Sequence, residues 1–152
     1  MTNLILENTN QVPYFTNMRS VLEGLRLDPA EYDWYLSDLE TNYFPPGFDD
    51  SDQWFSGVDF RELLYSNSIQ FIWGVFSAVP KGTRFTIEKA PYVNRNPDFW
   101  NGTHLVPQLP GSLFEIFSWD SSATILVGIP QESARHFLAT FSEARQLTMP
   151  TS

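Results

Sequence analysis

Two carboxylates two residues apart, Asp38 and Glu40, stand in the run YDWYLSDLETNY. On a strand, positions i and i+2 share a face, so both acids are expected to point the same way. A pair of carboxyl groups held at a defined separation across a sugar ring is the machinery of glycoside hydrolysis. Trp34 and Tyr43 would supply rings for a carbohydrate to rest on. One reading is therefore a carbohydrate or small-ligand binder, or a sugar hydrolase, built on Trp34, Asp38 and Glu40. The plainer reading is that of an outer strand whose acids face solvent.

Other chemistries lack their parts. Histidine-assisted nucleophilic catalysis has only His104 and His136 to draw on, and no G-x-S-x-G turn presents a serine. His104 falls in a proline-rich stretch, and His136 neighbours the apolar stripe of a predicted helix, where a packed or surface role suits it better than that of a base. No histidine spacing of the H-E-x-x-H kind exists, and no metal ligand set is expected. Asp50-Ser51-Asp52 begins like a calcium loop. Trp54 then occupies a ligand position, Phe55 the glycine position and Arg61 the closing glutamate position. The eight glycines form neither phosphate-cradling pattern. The chain has no cysteine, so disulfides, thiolate chemistry and sulfur-ligated zinc are excluded. No cofactor is expected, and the chain reads as non-enzymatic.

Charge is more informative. The net charge is −9 over 152 residues, and it is unevenly spread. Residues 1–76 hold twelve acids and three bases, whereas residues 77–152 hold six of each. Nine acids and no base lie between Arg26 and Arg61. Nucleic-acid binding depends on neutralising phosphates, so such a surface repels DNA and RNA. It attracts a basic protein. A solvated face that only confers solubility is the simpler alternative.

The densest part of this span is PPGFDDSDQWFSG, Pro45 to Gly57. Its prolines and glycine predict a turn. Phe48, Trp54 and Phe55 have two destinations: folded back as a lid on the core, or partly exposed among Asp49, Asp50 and Asp52. The second arrangement, a ring rimmed by charge, is the anatomy of a protein-binding hot spot. The candidate partner-binding residues are thus Phe48, Asp49, Asp50, Asp52 and Trp54, with Asp38 and Glu40 from the preceding strand.

The elements that would hold these residues follow from periodicity. Hydrophobic residues make up 42% of the chain and charged residues 18%, which specifies a folded globule rather than a disordered chain. Residues 1–152 are expected to form a single domain. Asn3–Glu7 reads as a strand, and Phe15, Met18, Leu22 and Leu25 mark one face of a helix ending near Gly24. Asp28-Pro29-Ala30-Glu31 predicts one capped helical turn, followed by a strand in which Tyr32, Trp34 and Leu36 alternate with Asp33, Tyr35 and Ser37. Asp59-Phe60-Arg61-Glu62 predicts a second cap and a short helix.

Ile69–Val79 is nearly all apolar and reads as a central strand covered on both faces. Arg84–Glu88 alternates and is expected to return as its hairpin partner across Pro80-Lys81-Gly82. Ala90–Gly111 predicts a long irregular loop. Leu113–Trp119 and Ala123–Ile129 form a hairpin across Asp120-Ser121-Ser122. Pro130 opens a last helix with an apolar stripe of Ala134, Phe137, Leu138, Phe141 and Ala144. The order is β-α-β-α-β-β-β-β-α. The fold class is α+β: a mostly antiparallel twisted sheet of about five to six strands on about two to three helices.

The run LFEIFSWDSSATILVGIPQESARHFLATFSEARQL couples a D-S-S hairpin to an amphipathic helix, and FSGVDFRELL leads into an apolar strand. Together these resemble the small acidic α+β immunity proteins encoded beside bacterial polymorphic toxins, and equally several uncharacterised bacterial families of the same build. The likeness covers about half the chain. It implies a bacterial, cytoplasmic protein that binds and neutralises one toxin without catalysis, often through an acidic surface against a basic nuclease. MTNLILENTNQ has neither a basic start nor a long apolar run, so neither a signal peptide nor a membrane partner is expected. A structural homo-oligomer burying an aromatic patch is the remaining reading.

Overall fold

The computed structural model describes residues 2–7, 9–12, 16–96 and 106–147. Within them the chain is α+β, with seven strands in one antiparallel sheet and three α-helices. The strands are β1 (Thr2–Glu7), β2 (Tyr32–Thr41), β3 (Gln53–Ser56), β4 (Phe71–Pro80), β5 (Phe114–Trp119), β6 (Ala123–Ile129) and β7 (Arg145–Gln146). The helices are α1 (Met18–Leu25), α2 (Gly57–Ser66) and α3 (Gln131–Thr140). Across the sheet the order is β3-β2-β4-β5-β6-β1-β7.

One face of the sheet carries the helices. Trp34 and Leu36 of β2, Phe76 and Ala78 of β4, Phe114 and Ile116 of β5, and Leu4 and Leu6 of β1 meet Met18, Leu22 and Leu25 of α1, Phe60 of α2 and Phe137 of α3. Period-two alternation on the strands and period-3.6 spacing on the helices make this contact possible. Each large side chain so buried contributes roughly 1.5–3 kcal/mol.

The described residues that cover the other face form neither helix nor strand. The segment joining β4 to β5, described over residues 81–96 and 106–113, folds back as a strap. Leu109, Ile87 and Ala90 pack on Tyr35 and Val79, and Val93 joins a cluster with Val75, Phe117, Ile125 and Val127. The second alternation set of β2, Asp33, Tyr35 and Ser37, is therefore buried as well.

Several elements differ from the sequence-based expectation. Arg84–Glu88 pairs with no strand, because β2 and β5 already occupy the two edges of β4. Gln53–Ser56, expected within a loop, is an edge strand paired with β2. The cap of α2 is Ser56, whose Oγ accepts from the Asp59 backbone N–H at 3.1 Å; Asp59 is an acid of the first turn rather than the cap. Helix α1 ends on Arg26 in the left-handed conformation (φ 56°). Gly24 serves a different purpose: a Cβ there would lie 2.5 Å from the Phe141 ring, so glycine permits the approach of α1 to the end of α3. Phe141 and Ala144, both buried, lie just beyond α3. Phe15 and His104 fall outside the described residues.

Candidate functional site

The acidic run is organised around a tight turn. The Phe48 N–H donates to the Pro45 carbonyl at 3.0 Å, and Gly47 takes the positive φ (85°) that such a proline-led turn requires. This drives the Phe48 ring inward, where it is 6% exposed and packs against Phe44, Phe55 and Phe71. Phe48 is corrected accordingly: it anchors the turn and has little surface to offer a partner. Phe55 is half-buried against Phe48 and Phe60. Trp54 is also half-buried, lying on Tyr35 and edge-on to Phe85.

The carboxylates stay outside. Asp49, Asp50 and Asp52 are exposed. Asp49 accepts from the Ser51 backbone N–H at 3.0 Å, from the Ser51 hydroxyl and from the Gln53 amide. Those donors, Ser51 first, hold its carboxyl below the usual aspartate range. One Asp52 oxygen accepts from the Asp38 backbone N–H at 3.2 Å. Burial, and then the Asp52 charge, raises the Tyr35 phenol above its ordinary value. Thus β3 and its turn form a plug whose rings pack inward, Phe48 and Phe55 on the helix side of the sheet and Trp54 on the strap side, and whose three carboxylates stay outside.

Two rings that the residue types alone did not single out as partner contacts flank this plug. Tyr43 is 49% exposed and Phe44 37%, the latter resting on buried Phe48. The signal was present in their place: both directly precede Pro45, where β2 has ended and no neighbouring strand remains to cover them.

The carboxylate pair behaves differently from the sugar-cleft expectation. Trp34 is fully buried on the helix side, its indole N–H donating to the Pro29 carbonyl at 3.0 Å, so it has no face for a ligand. Asp38 sits at a bulge between Ser37 and Glu40 with φ 54°, and its Oδ2 accepts from the backbone N–H groups of Val93 (2.9 Å) and Asn94 (2.8 Å). It is half-buried and tethers the strap through that oxygen. Glu40 is exposed and lies opposite Trp73 of β4.

Asp38 is one of three such tethers. Asp33 accepts from the Gly82 N–H and from the Arg84 guanidinium at 3.2 Å. Glu115 on β5, fully buried, accepts from the N–H groups of Gln108 and Leu109 and from the hydroxyl of its cross-strand neighbour Ser77. Burial pushes the Glu115 carboxyl above the glutamate range, and those three donors hold the rise back.

Against the strap lies a groove of about 540 Å³, lined chiefly by Phe85, Ile87, Ala90, Tyr92, Leu109 and Pro110, with Asn96 and Gln108 among its polar groups. None of Trp34, Asp38 or Glu40 lines it. His136 on α3 is within 3.8 Å of Glu132 one turn earlier. Among the described residues no three His, Asp or Glu side chains come together as metal ligands. Nor is any described helix long and apolar enough to cross a membrane. No protein-family model, curated protein or solved structure matches this chain.

Proposed function

We propose that the chain is a non-enzymatic, cytoplasmic protein-binding domain whose partner is a basic protein, in the manner of an immunity protein neutralising a basic toxin. The observation that carries this reading is the plug. Asp49, Asp50 and Asp52 project from a turn that Phe48 anchors in the core, with exposed Tyr43 and Phe44 preceding it and half-exposed Trp54 following it on the strap side of the sheet. Rings on a rigid base lose little freedom on binding, and surrounding charge steers a basic surface towards them. Fixed carboxylates repel nucleic-acid phosphates, which disfavours DNA or RNA as the partner.

The test is affinity capture from a bacterial lysate at low salt, with captured proteins identified by mass spectrometry. A basic protein is expected, weakened at least about tenfold when salt rises to about 0.5 M, where the Debye length shortens to a few ångströms. Asp49→Asn/Asp50→Asn/Asp52→Asn should lose that protein, and Tyr43→Ala/Phe44→Ala should weaken it about thirtyfold or more, as hot-spot rings do. Glu132→Gln/Glu143→Gln, on exposed positions at α3 and beyond it, should retain it. Equal capture by the two acid-neutralised variants would assign the interaction to net charge alone and end this reading.

A further inference from the structure

The strap contains a strand-like run that has lost its ladder. Thr83–Ile87 runs without helix, turn or bend, and Phe85-Thr86-Ile87-Glu88 has the alternation and β-propensity of a strand. Yet among the described residues the backbone N–H and C=O groups from Phe85 to Ala90 make no hydrogen bond within the chain. The run is held at both ends. Arg84 is fixed on Asp33, and beyond Ala90 the amides of Tyr92, Val93 and Asn94 are bound by Gln108 and Asp38. Free backbone groups on a pre-extended, doubly anchored segment are a template for strand addition. Phe85, Ile87 and Ala90 also form one wall of the groove, with Leu109 and Pro110 in its lining.

We propose that Phe85–Ala90 is a docking strand. An extended basic segment of the partner protein pairs its backbone with Phe85–Glu88 and seats an apolar side chain in the groove. The inference rests on the basic-partner reading and deepens it. Glu88 and Lys89, which both line the groove, offset each other, and Arg84 is paired with Asp33, so the charge that selects this occupant is that of the adjoining plug. Trp54 of the acidic plug contacts Phe85 at 5.5 Å between ring centroids, so the plug adjoins the end of the docking strand. Asp52 is bound to the N–H of Asp38, whose own carboxylate holds the strap. Lysine or arginine flanking the docked segment would meet these carboxylates. A second copy of this chain would bring another net charge of −9.

The experiment uses the full chain and a short fluorescein-labelled peptide alternating lysine and valine. Its control is the same peptide N-methylated at alternate backbone amides, which keeps charge and apolar area and removes pairing. The parent peptide is expected to bind and to slow amide exchange at Phe85–Glu88. N-methylation should weaken binding about tenfold or more, the effect of losing one or two backbone hydrogen bonds. Thr86→Pro, at an exposed position with an unbonded N–H, should weaken it similarly. If both peptides bind equally and exchange at Phe85–Glu88 is unchanged, the docking strand is overturned while the acidic surface stands. Absence of peptide binding also overturns it, and the capture experiment then judges the acidic surface separately. A concentration-dependent dimer that protects the same amides by sedimentation and exchange would assign the groove to a second copy and equally overturn it.

Discussion

Three carboxylates facing the strap do the work of a missing strand. Asp33, Asp38 and Glu115 receive the backbone amides of Gly82, of Val93 and Asn94, and of Gln108 and Leu109. A carboxylate accepts several hydrogen bonds without a fixed ladder register, so it can pin irregular chain to a sheet. Glu115 is the most demanding case, since both oxygens are occupied and the side chain is fully buried. Glu115→Gln should destabilise the fold by about 1–3 kcal/mol, because one end of the amide would then face an N–H donor. The deficit should depend on pH. The wild-type carboxyl is raised in the folded state by burial, so below the ordinary glutamate range its contribution is fully present. It is lost as pH climbs through the raised folded value, where the native state holds a proton that the unfolded chain has released. Glutamine does not titrate. Urea denaturation at about pH 5 and about pH 8 should therefore show the gap between variant and wild type narrowing as pH rises. A gap that widens would mean that the charged form is the better-held one.

Elements here are placed by which strand edges are free. Strand β4 is flanked by β2 and β5, so the alternation in Arg84–Glu88, genuine in the sequence, finds no partner within the sheet. Helix α2 is placed by a close approach: a Cβ on Gly57 would lie 2.2 Å from the Tyr32 carbonyl oxygen and 2.3 Å from that of Pro29. Gly57→Ala should accordingly cost towards the upper end of the about 1–3 kcal/mol typical of overpacking, since the obstructing atoms are backbone. Thermal denaturation would measure it, and an unchanged melting temperature would show that α2 can slide off the Pro29–Glu31 turn freely. Much of this architecture was legible beforehand. The apolar run of β4, the β5–β6 hairpin across Asp120 and Ser121, both at positive φ, and the capped turn before β2 are local signals, and all are present. The α+β class followed from them. What stayed hidden was non-local. Asp38 looked like a surface acid because its donors, Val93 and Asn94, lie over fifty residues away. For Phe48 the core was the commoner fate and the surface the alternative, and the turn at Gly47 decides between them.

For the molecule as a whole the dominant long-range force is its own charge. Described ion pairs join Arg19 to Glu23, Arg61 to Asp28, Arg84 to Asp33 and Arg145 to Glu7. Except for the Asp33 carboxylate, the groups in these pairs are substantially solvated, and exposed pairs contribute about 0–1 kcal/mol each. Glu31, Glu40, Asp49, Asp50, Asp52, Asp59 and Glu62 take part in no ion pair among the described residues, and all are exposed. Two such charges about 10 Å apart repel by about 0.4 kcal/mol in water before screening. Folding brings them closer together on one body, whereas unfolding spreads them out. Salt screens that repulsion with a Debye length of about 10 Å at 0.1 M, and it weakens the short-range pairs less. The urea midpoint at neutral pH should therefore rise between about 0.02 M and about 0.3 M sodium chloride, by an amount on the order of 1 kcal/mol in stability. The same titration in Asp49→Asn/Asp50→Asn/Asp52→Asn should be flatter, because three of the repelling charges are gone. A midpoint that falls with salt would instead show that the ion pairs outweigh the repulsion. The anionic half would then be a balanced surface with no field left over to draw in a basic partner.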